Sequence, residues 1–272
     1  MGDVRTALAE AARALGEVSD TPRLDAELLM AQALGATRDT VLLRYLDDAE
    51  PAGFAALVER RRGGEPLAYI TGTRDFWTIT LRVGPGVLIP RADSETLIEA
   101  AVAHFAGSAG PRRILDLGTG PGTLLLAALA EWRQATGLGI DASAAALAYA
   151  RANAAALVLP AEFRLGDWAE GVDERFDLIL ANPPYVAEDD PDLASDVRAF
   201  EPAEALFAAD EGLEAYRAIV PELPRLLAPG GVAALEIGWR QGEAVAALVA
   251  ATGRSARVVN DLGGRPRAVF VT

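Results

Sequence analysis

Apolar positions divide the chain into three regimes. Up to residue 65 they recur at helical spacing. Val4, Leu8, Ala12 and Leu15 share one face. Thr21-Pro22 opens a second helix with a cap and a proline at its first turn, followed by Leu24, Leu28 and Leu29. Asp39-Thr40 opens a third, carrying Val41-Leu42-Leu43 and Tyr45, and Pro51 opens a fourth with Phe54 and Leu57. That helix ends in Arg60-Arg61-Arg62 and Gly63-Gly64. The spacing predicts a small helical bundle over 1–65. The arginine run reads as a solvated helix face, with contact to nucleic acid or an acidic partner as the alternative.

Over 66–90 the period shortens to two. Leu67-Ala68-Tyr69-Ile70 leads to Gly72; then Trp77, Ile79, Leu81 and Val83 alternate with Thr78, Thr80 and Arg82. This predicts a half-buried strand, one half of a hairpin, in a connector between two domains. Gly84-Pro85-Gly86 turns the chain, and Asp93-Ser94 caps a helix through Ala106.

The third regime, within 91–272, alternates strands and helices. Strands are predicted at Arg113–Leu117, Thr136–Ile140, Glu162–Leu165, Phe176–Ala181, Val232–Ile237, Arg257–Asn260 and Ala268–Thr272. Helices are predicted at Thr123–Trp132, Ala142–Ala155, Glu211–Leu227, the last ended by Pro229-Gly230-Gly231, and Gln241–Ala251. Alternation of this kind predicts an α/β fold, a parallel sheet covered by helices on both faces. The acidic stretch over 186–210, with Glu188-Asp189-Asp190-Pro191, is expected to be a lid or a partner-binding segment.

Four strand ends carry candidate chemistry. Phe176–Ala181 stops at Asn182-Pro183-Pro184-Tyr185, because consecutive prolines cannot continue a ladder. A stiff polar corner is thereby displayed at the edge where open α/β sheets bind ligands. The Asn182 side-chain carbonyl and the Pro183 backbone carbonyl are two acceptors that match the two N–H groups of an amide or aromatic amine. Tyr185 adds an aromatic face and a hydroxyl. An ordinary Pro-Pro turn is the bland alternative.

The first strand of the alternating region runs into Gly118-Thr119-Gly120-Pro121-Gly122, with a helix expected to open at Pro121. Such glycines let backbone approach a ligand closely. The spacing fits the dinucleotide fingerprint poorly, and Asp116 would be unwelcome beside a pyrophosphate but suits an ammonium group. Asp141 ends the second strand, placed for ribose hydroxyls or as a helix cap. Asp167 and Trp168 end the third, placed for an adenine, with Trp168 as a core residue the alternative. Together these groups describe adenine, ribose and a cationic amino-acid tail, which is S-adenosylmethionine.

Composition narrows the chemistry. Among 272 residues there is no cysteine and one histidine, His104, on a predicted helix and read as a surface or boundary residue. Disulfides, thiolate catalysis, histidine triads and a multi-histidine metal site are excluded, and no metal is expected. All 25 basic residues are arginine, and the formal net charge is −14. That charge argues against a free-standing DNA-binding enzyme. Without an apolar run of about 18 residues no membrane span is expected; the N-terminus has no apolar signal core and matches a myristoylation site only weakly.

Residues 113–185 resemble a class I methyltransferase bearing the Asn-Pro-Pro-Tyr motif of amino-group methylation. The whole chain resembles the release-factor glutamine N5-methyltransferases (PrmC/HemK). The resemblance extends through Ala68–Gly72 with Phe76-Trp77; Leu88–Arg91 with Glu95; Glu201-Pro202 with Ala205-Leu206; Glu236-Ile237-Gly238; and Asp261 with Gly264-Arg265. It implies a Rossmann-like methyltransferase sheet over 91–272, a β-hairpin connector over 66–90, and an all-helical N-terminal domain over 1–65 that docks the release factor. It implies transfer of methyl from S-adenosylmethionine, leaving S-adenosylhomocysteine, to the glutamine of a Gly-Gly-Gln motif in peptide chain release factors. The alternatives are a ribosomal-protein glutamine or adenine N6 in nucleic acid. Carried over by position, Gly118, Thr119, Gly120, Pro121, Gly122, Asp141 and Trp168 line the cofactor; Asp167, from the strand-end reading, and Asn182 are expected to join them. Asn182, Pro183, Pro184 and Tyr185 hold the glutamine amide, with Asn182, Pro183 and Tyr185 as the catalytic group. Phe76, Arg91 and Glu95 complete the substrate pocket. A cytoplasmic monomer is expected. Pro121 departs from the family pattern, where many members carry a small hydroxyl residue.

Overall fold

In the computed structural model, residues 2–186, 195–209 and 212–272 are described. They group into two compact units: the chain up to Thr73 together with Ser195–Phe200, and the remainder. Glu188–Pro191, the core of the expected lid, lies outside the described residues.

The first unit is helical. α1 (Val4–Ala14) is capped by Asp3, whose Oδ1 accepts from the Thr6 N–H at 2.8 Å. α2 (Pro22–Leu34) ends at Gly35, in the left-handed region at φ +60°. Thr21 does not cap the backbone as expected; its hydroxyl donates to Asp25 instead. α3 (Arg38–Thr40) is capped by Thr37 and runs into a π-helical turn, Val41–Tyr45. α4 (Phe54–Arg62) follows. Leu67–Thr71 is a short helix, α5, closed by left-handed Gly72, so the period-two regime begins later than the pattern suggested. Leu8, Leu15, Leu29, Met30, Val41 and Phe54 fill the core.

The arginine run is not a uniformly solvated face. Arg60 pairs with Glu65 and Arg62 with Glu59, but Arg61 Nε lies 2.8 Å from Asp25 Oδ2, with side-chain exposures of 12% and 5%. The middle arginine is therefore a structural group neutralising a buried carboxylate.

The second unit begins with a hairpin, β1 (Thr73–Phe76) and β2 (Ile79–Arg82), turned at Trp77, whose φ is +53°. A 3-10 turn, Ala92–Ser94, leads into α6 (Glu95–Phe105). His104 is exposed there, with ring contacts to Phe105 and Phe270. Next come β3 (Arg113–Leu117), α7 (Thr123–Glu131), β4 (Thr136–Asp141), α8 (Ala144–Leu157), β5 (Ala161–Leu165) and β6 (Phe176–Ala181). The short α9 (Ser195–Phe200) groups with the first unit. α10 (Glu214–Ile219), α11 (Leu223–Leu226), β7 (Leu227–Glu236), α12 (Gly242–Ala251), β8 (Ala256–Asn260) and β9 (Pro266–Val271) complete the chain.

Among the described residues the sheet has seven strands in the order β5-β4-β3-β6-β7-β9-β8. The first five are parallel, while β9 is antiparallel to both β7 and β8. Leu115, Leu117, Leu178, Ile179 and Leu180 are fully buried, as strands covered on both faces require. The single helix expected over Glu211–Leu227 is instead broken by a 3-10 turn, Val220–Glu222. Pro221 and Pro224 lack the N–H groups a continuous ladder needs. β7 then runs through Pro229-Gly230-Gly231, which pattern alone marks as a terminator. No described helix is long and apolar enough to cross a membrane.

Chain order reverses around β3, which pairs with β4 on one side and β6 on the other. In open α/β sheets the crevice at the carboxyl ends of such strands is where ligands sit.

Candidate active site

That crevice holds a cavity of about 310 Å³. Four strand ends and the hairpin-to-α6 connection build it. β3 supplies Gly118, Thr119, Gly120 and Pro121. β4 supplies Asp141, β5 leads to Asp167 and Trp168, β6 to Asn182 and Pro184, and the connection supplies Arg91 and Ser94.

The glycine turn is fixed by backbone geometry. Gly118, Gly120 and Gly122 have φ of +71°, +56° and +88°, a region that L side chains rarely adopt. A Cβ at Gly118 would meet Trp168 Cζ3 at 3.3 Å, whereas one at Gly120 would enter open space. Gly122 precedes α7, so the helix begins at Thr123 and Pro121 is outside its first turn. The Pro121 carbonyl instead accepts from Asn153 Nδ2 at 2.9 Å. The same amide brackets Arg82 of β2, donating to its carbonyl and accepting from its N–H. Asn153 is 1% exposed, so these bonds are made away from water.

Asp141 has both oxygens engaged from one side. Oδ2 accepts from Gly120 N–H at 2.7 Å and Oδ1 from Ser143 N–H at 2.8 Å. Ser143, not Asp141, supplies the side-chain cap of α8. Burial raises the Asp141 pKa against the pull of these two donors. Asp116 is 1% exposed; its Oδ2 accepts from Thr119 Oγ1 at 2.6 Å and from Leu125 N–H at 3.2 Å. Among the described residues its Oδ1 has no partner, and burial pushes the carboxyl up to about 7. Trp168 both packs on the core and lines the cavity, at φ +44°. An aromatic residue held in that conformation stores strain of the kind that accumulates at binding sites.

The donor set has a clear electrostatic sense. Asp116, Asp141 and Asp167 line the cavity. Arg91 also lines it, but is paired with Glu201 at 2.5 Å, and Glu201 additionally accepts from Ile89 N–H. A pyrophosphate would meet uncompensated carboxylates, whereas a cationic ligand would relieve them. The orphaned Asp116 oxygen and the open space at Gly120 therefore fit a nucleoside carrying an ammonium tail. Among the described residues no group of three or more His, Cys, Asp or Glu forms a metal site.

The Asn182 corner is held from behind. Asn182 Nδ2 donates to Ser94 Oγ at 3.2 Å, and no described group donates to the Pro183 carbonyl. Tyr185 does not line the cavity. Its ring packs on the core and its hydroxyl donates to Glu236 Oε1 at 3.1 Å. Burial, and then the Glu236 charge, raise its pKa.

The chain matches the PrmC N-terminal domain over residues 6–72 and the methyltransferase small domain over residues 93–212. The release factor glutamine methyltransferase of Caulobacter vibrioides is 43% identical over 263 residues, spanning 92% of this chain and 89% of that protein. That of Cereibacter sphaeroides is 45% identical over 258 residues, spanning 92% and 91%. The chain belongs to the release factor glutamine methyltransferase family. Its fold is also that of the ribosomal protein L11 methylase of Lactobacillus delbrueckii subsp. bulgaricus. That structure aligns at a TM-score of 0.51 and 20% identity, over 71% of this chain and 84% of that one.

Of the residues singled out in the sequence, ten meet at the cavity: Gly118, Thr119, Gly120, Pro121, Asp141, Asp167, Trp168, Asn182, Pro184 and Arg91. Gly122, Pro183, Tyr185, Phe76 and Glu95 do not line it. Phe76 is buried at 1% exposure, and Glu95 Oε1 accepts from Trp77 N–H at 2.8 Å. Sequence reasoning took Ser94 for a helix cap, yet its side chain caps nothing and faces Asn182. Glu236 entered only as part of a motif, and its buried position behind Tyr185 has no local sequence signal.

Proposed function

We propose that the protein transfers a methyl group from S-adenosylmethionine to the side-chain amide N5 of the glutamine in a release-factor Gly-Gly-Gln motif. One observation carries the reading: the Asn182 corner and the carboxylate-lined glycine turn open into a single cavity. Family membership supplies the substrate class.

When bound, S-adenosylmethionine supplies a methyl carried on an electrophilic sulfonium. This chain's residues do the rest. Asp116 Oδ1 would accept from the ammonium, Asp141 from the ribose, and Asp167 with Trp168 would hold the adenine by its amino group and face. Gly118 and Gly120 give these groups close backbone approach. The amide nitrogen is a weak nucleophile because its lone pair is delocalised. Asn182 Oδ1 would accept an N–H of the amide and turn its face toward the donor, with the Pro183 carbonyl, which does not line the cavity, as the second acceptor the family motif implies. Orientation of this kind supplies on the order of 7–11 kcal/mol. Tyr185 anchors the corner through Glu236 rather than touching the amide.

The test mixes purified enzyme and methyl-labelled cofactor with release factor whose motif glutamine is intact or replaced, and in parallel with ribosomal protein or with DNA. Label is expected only in the intact protein. Label in both proteins, in ribosomal protein or in DNA would overturn the assignment.

A further inference from the structure

Trp168 walls the cavity while its backbone sits at φ +44°. That conformation is disfavoured for any residue with a Cβ, so the chain on both sides of it must be held. Upstream, Gly166 N–H donates to the Asp141 carbonyl at 3.1 Å, which ties the turn to the end of β4. Downstream, Glu170 N–H donates to the Asp167 carbonyl at 3.0 Å and Val172 N–H to the Ala169 carbonyl at 3.2 Å. These downstream bonds are local. They curl the segment without attaching it to another element.

The attachment comes from Arg225. It stands on α11 between Leu223 and Leu226, both fully buried, so its origin is fixed by the core. Its Nη2 donates to the Ala169 carbonyl at 3.0 Å and its Nη1 to the Val172 carbonyl. Nε donates to Glu222 Oε2 at 2.5 Å, which orients the guanidinium. One planar fork thus spans the turn that starts directly after Trp168. A second arginine ties the same stretch in the other direction, Arg175 Nη1 donating to the Leu227 carbonyl at 2.6 Å.

We infer that Arg225 is a positioning residue for the adenine end of the cofactor: its grip on the Ala169 and Val172 carbonyls keeps Trp168 left-handed and its ring on the cavity wall. Trp168 Cζ3 lies 3.3 Å from where a Cβ at Gly118 would stand, so the ring is set against the glycine turn. A released turn lets Trp168 return to negative φ, which re-aims its Cα–Cβ bond and takes the ring away from that place. The inference rests on the proposed reading of Asp167 and Trp168 as the adenine contacts.

The test compares wild type with Arg225→Ala, the milder Arg225→Lys, Trp168→Ala, and Trp168→Ala combined with Arg225→Ala, with a melting temperature for each. The first readout is the calorimetric Kd for S-adenosylhomocysteine, which needs no methyl acceptor. Arg225→Ala should raise it about tenfold, while kcat at saturating cofactor stays within about twofold. In the Trp168→Ala background the same change should add less than about twofold, because the ring it positions is gone. The second readout is the 19F spectrum of protein carrying 5-fluorotryptophan, with Trp168 assigned through Trp168→Phe. Arg225→Ala should move the Trp168 resonance and leave those of Trp77, Trp132 and Trp239 in place. Should the alanine variant unfold, Arg225→Lys decides in the same assays, with an expected rise in Kd of about threefold. An unchanged Kd, an equal loss in the Trp168→Ala background, or an unmoved Trp168 resonance overturns the inference. If wild type binds no S-adenosylhomocysteine, the cofactor reading fails by itself, and the Trp168 resonance still decides whether Arg225 holds the turn.

Discussion

Asp116→Asn isolates the electrostatic cost built into the cavity. The substitution keeps the side-chain shape and the acceptor used by Thr119 and Leu125 while removing the charge. Burial holds the native carboxyl at about 7, against a usual 3.8. A carboxyl that ionises less readily in the fold than in the unfolded chain costs nothing below about pH 4, and its penalty grows until about pH 7. The penalty is about 2 kcal/mol at pH 5.5 and about 4 kcal/mol at pH 8.5, from 1.36 kcal/mol per unit. The asparagine NH2 carries its own burial cost, but that cost does not change with pH. Asp116→Asn should therefore gain about 2 kcal/mol more stability at pH 8.5 than at pH 5.5. Both conditions lie above the isoelectric point of about 4.6. The assay is urea unfolding read by tryptophan fluorescence. All four tryptophans, Trp77, Trp132, Trp168 and Trp239, lie in the second unit, so the signal reports the unit that contains Asp116. A gain equal at the two pH values, or smaller at pH 8.5, would refute the claim that desolvation dominates Asp116.

Other changes probe separate parts. Asn182→Ala should reduce turnover by about a thousandfold, near 4 kcal/mol of barrier, with cofactor affinity by calorimetry within about threefold; surviving turnover would remove Asn182 from the mechanism. Gly122→Ala puts a Cβ 2.8 Å from Leu126 Cδ1 at φ +88° and should lower the melting temperature by several degrees; an unshifted melt would show that the turn relaxes freely. Asn153→Ala strips partners from Arg82 and Pro121 and should cost about 2–4 kcal/mol and weaken cofactor binding, since the glycine turn loses its brace; unchanged binding would separate brace from turn. Arg61→Ala leaves Asp25 buried and unpaired and should cost the first unit about 3–5 kcal/mol, read by circular dichroism because that unit has no tryptophan.

The parallel strands were legible because a strand buried on both faces writes itself as an apolar run, and β3, β4 and β6 end where glycine, aspartate or proline stops them. What was hidden depended on partners distant in sequence. Arg61 looks like any surface arginine until Asp25 is brought against it. Alternation marks Trp77 as a strand residue, but the hairpin uses it as a corner. The prolines at 221 and 224 were visible, yet the apolar spacing around them outweighed their effect on the ladder. At the site, the glycine turn and strand-end carboxylates followed from local pattern, whereas the direction of a side chain did not. Tyr185 faces the core because Glu236 awaits it there, and nothing near residue 185 says so.

The placement of β9 bears on how the protein is made. Its residues Val269, Phe270 and Val271 are buried between β7 and β8, although they are the last of the sheet to be synthesised. Chains emerge at about 5–20 residues per second, earlier segments first. Until residue 271 has left the exit tunnel, β7 has an open edge and β8 has no neighbour to pair with. The sheet of this unit therefore closes only once β9 itself has been delivered, however early its other six strands emerge.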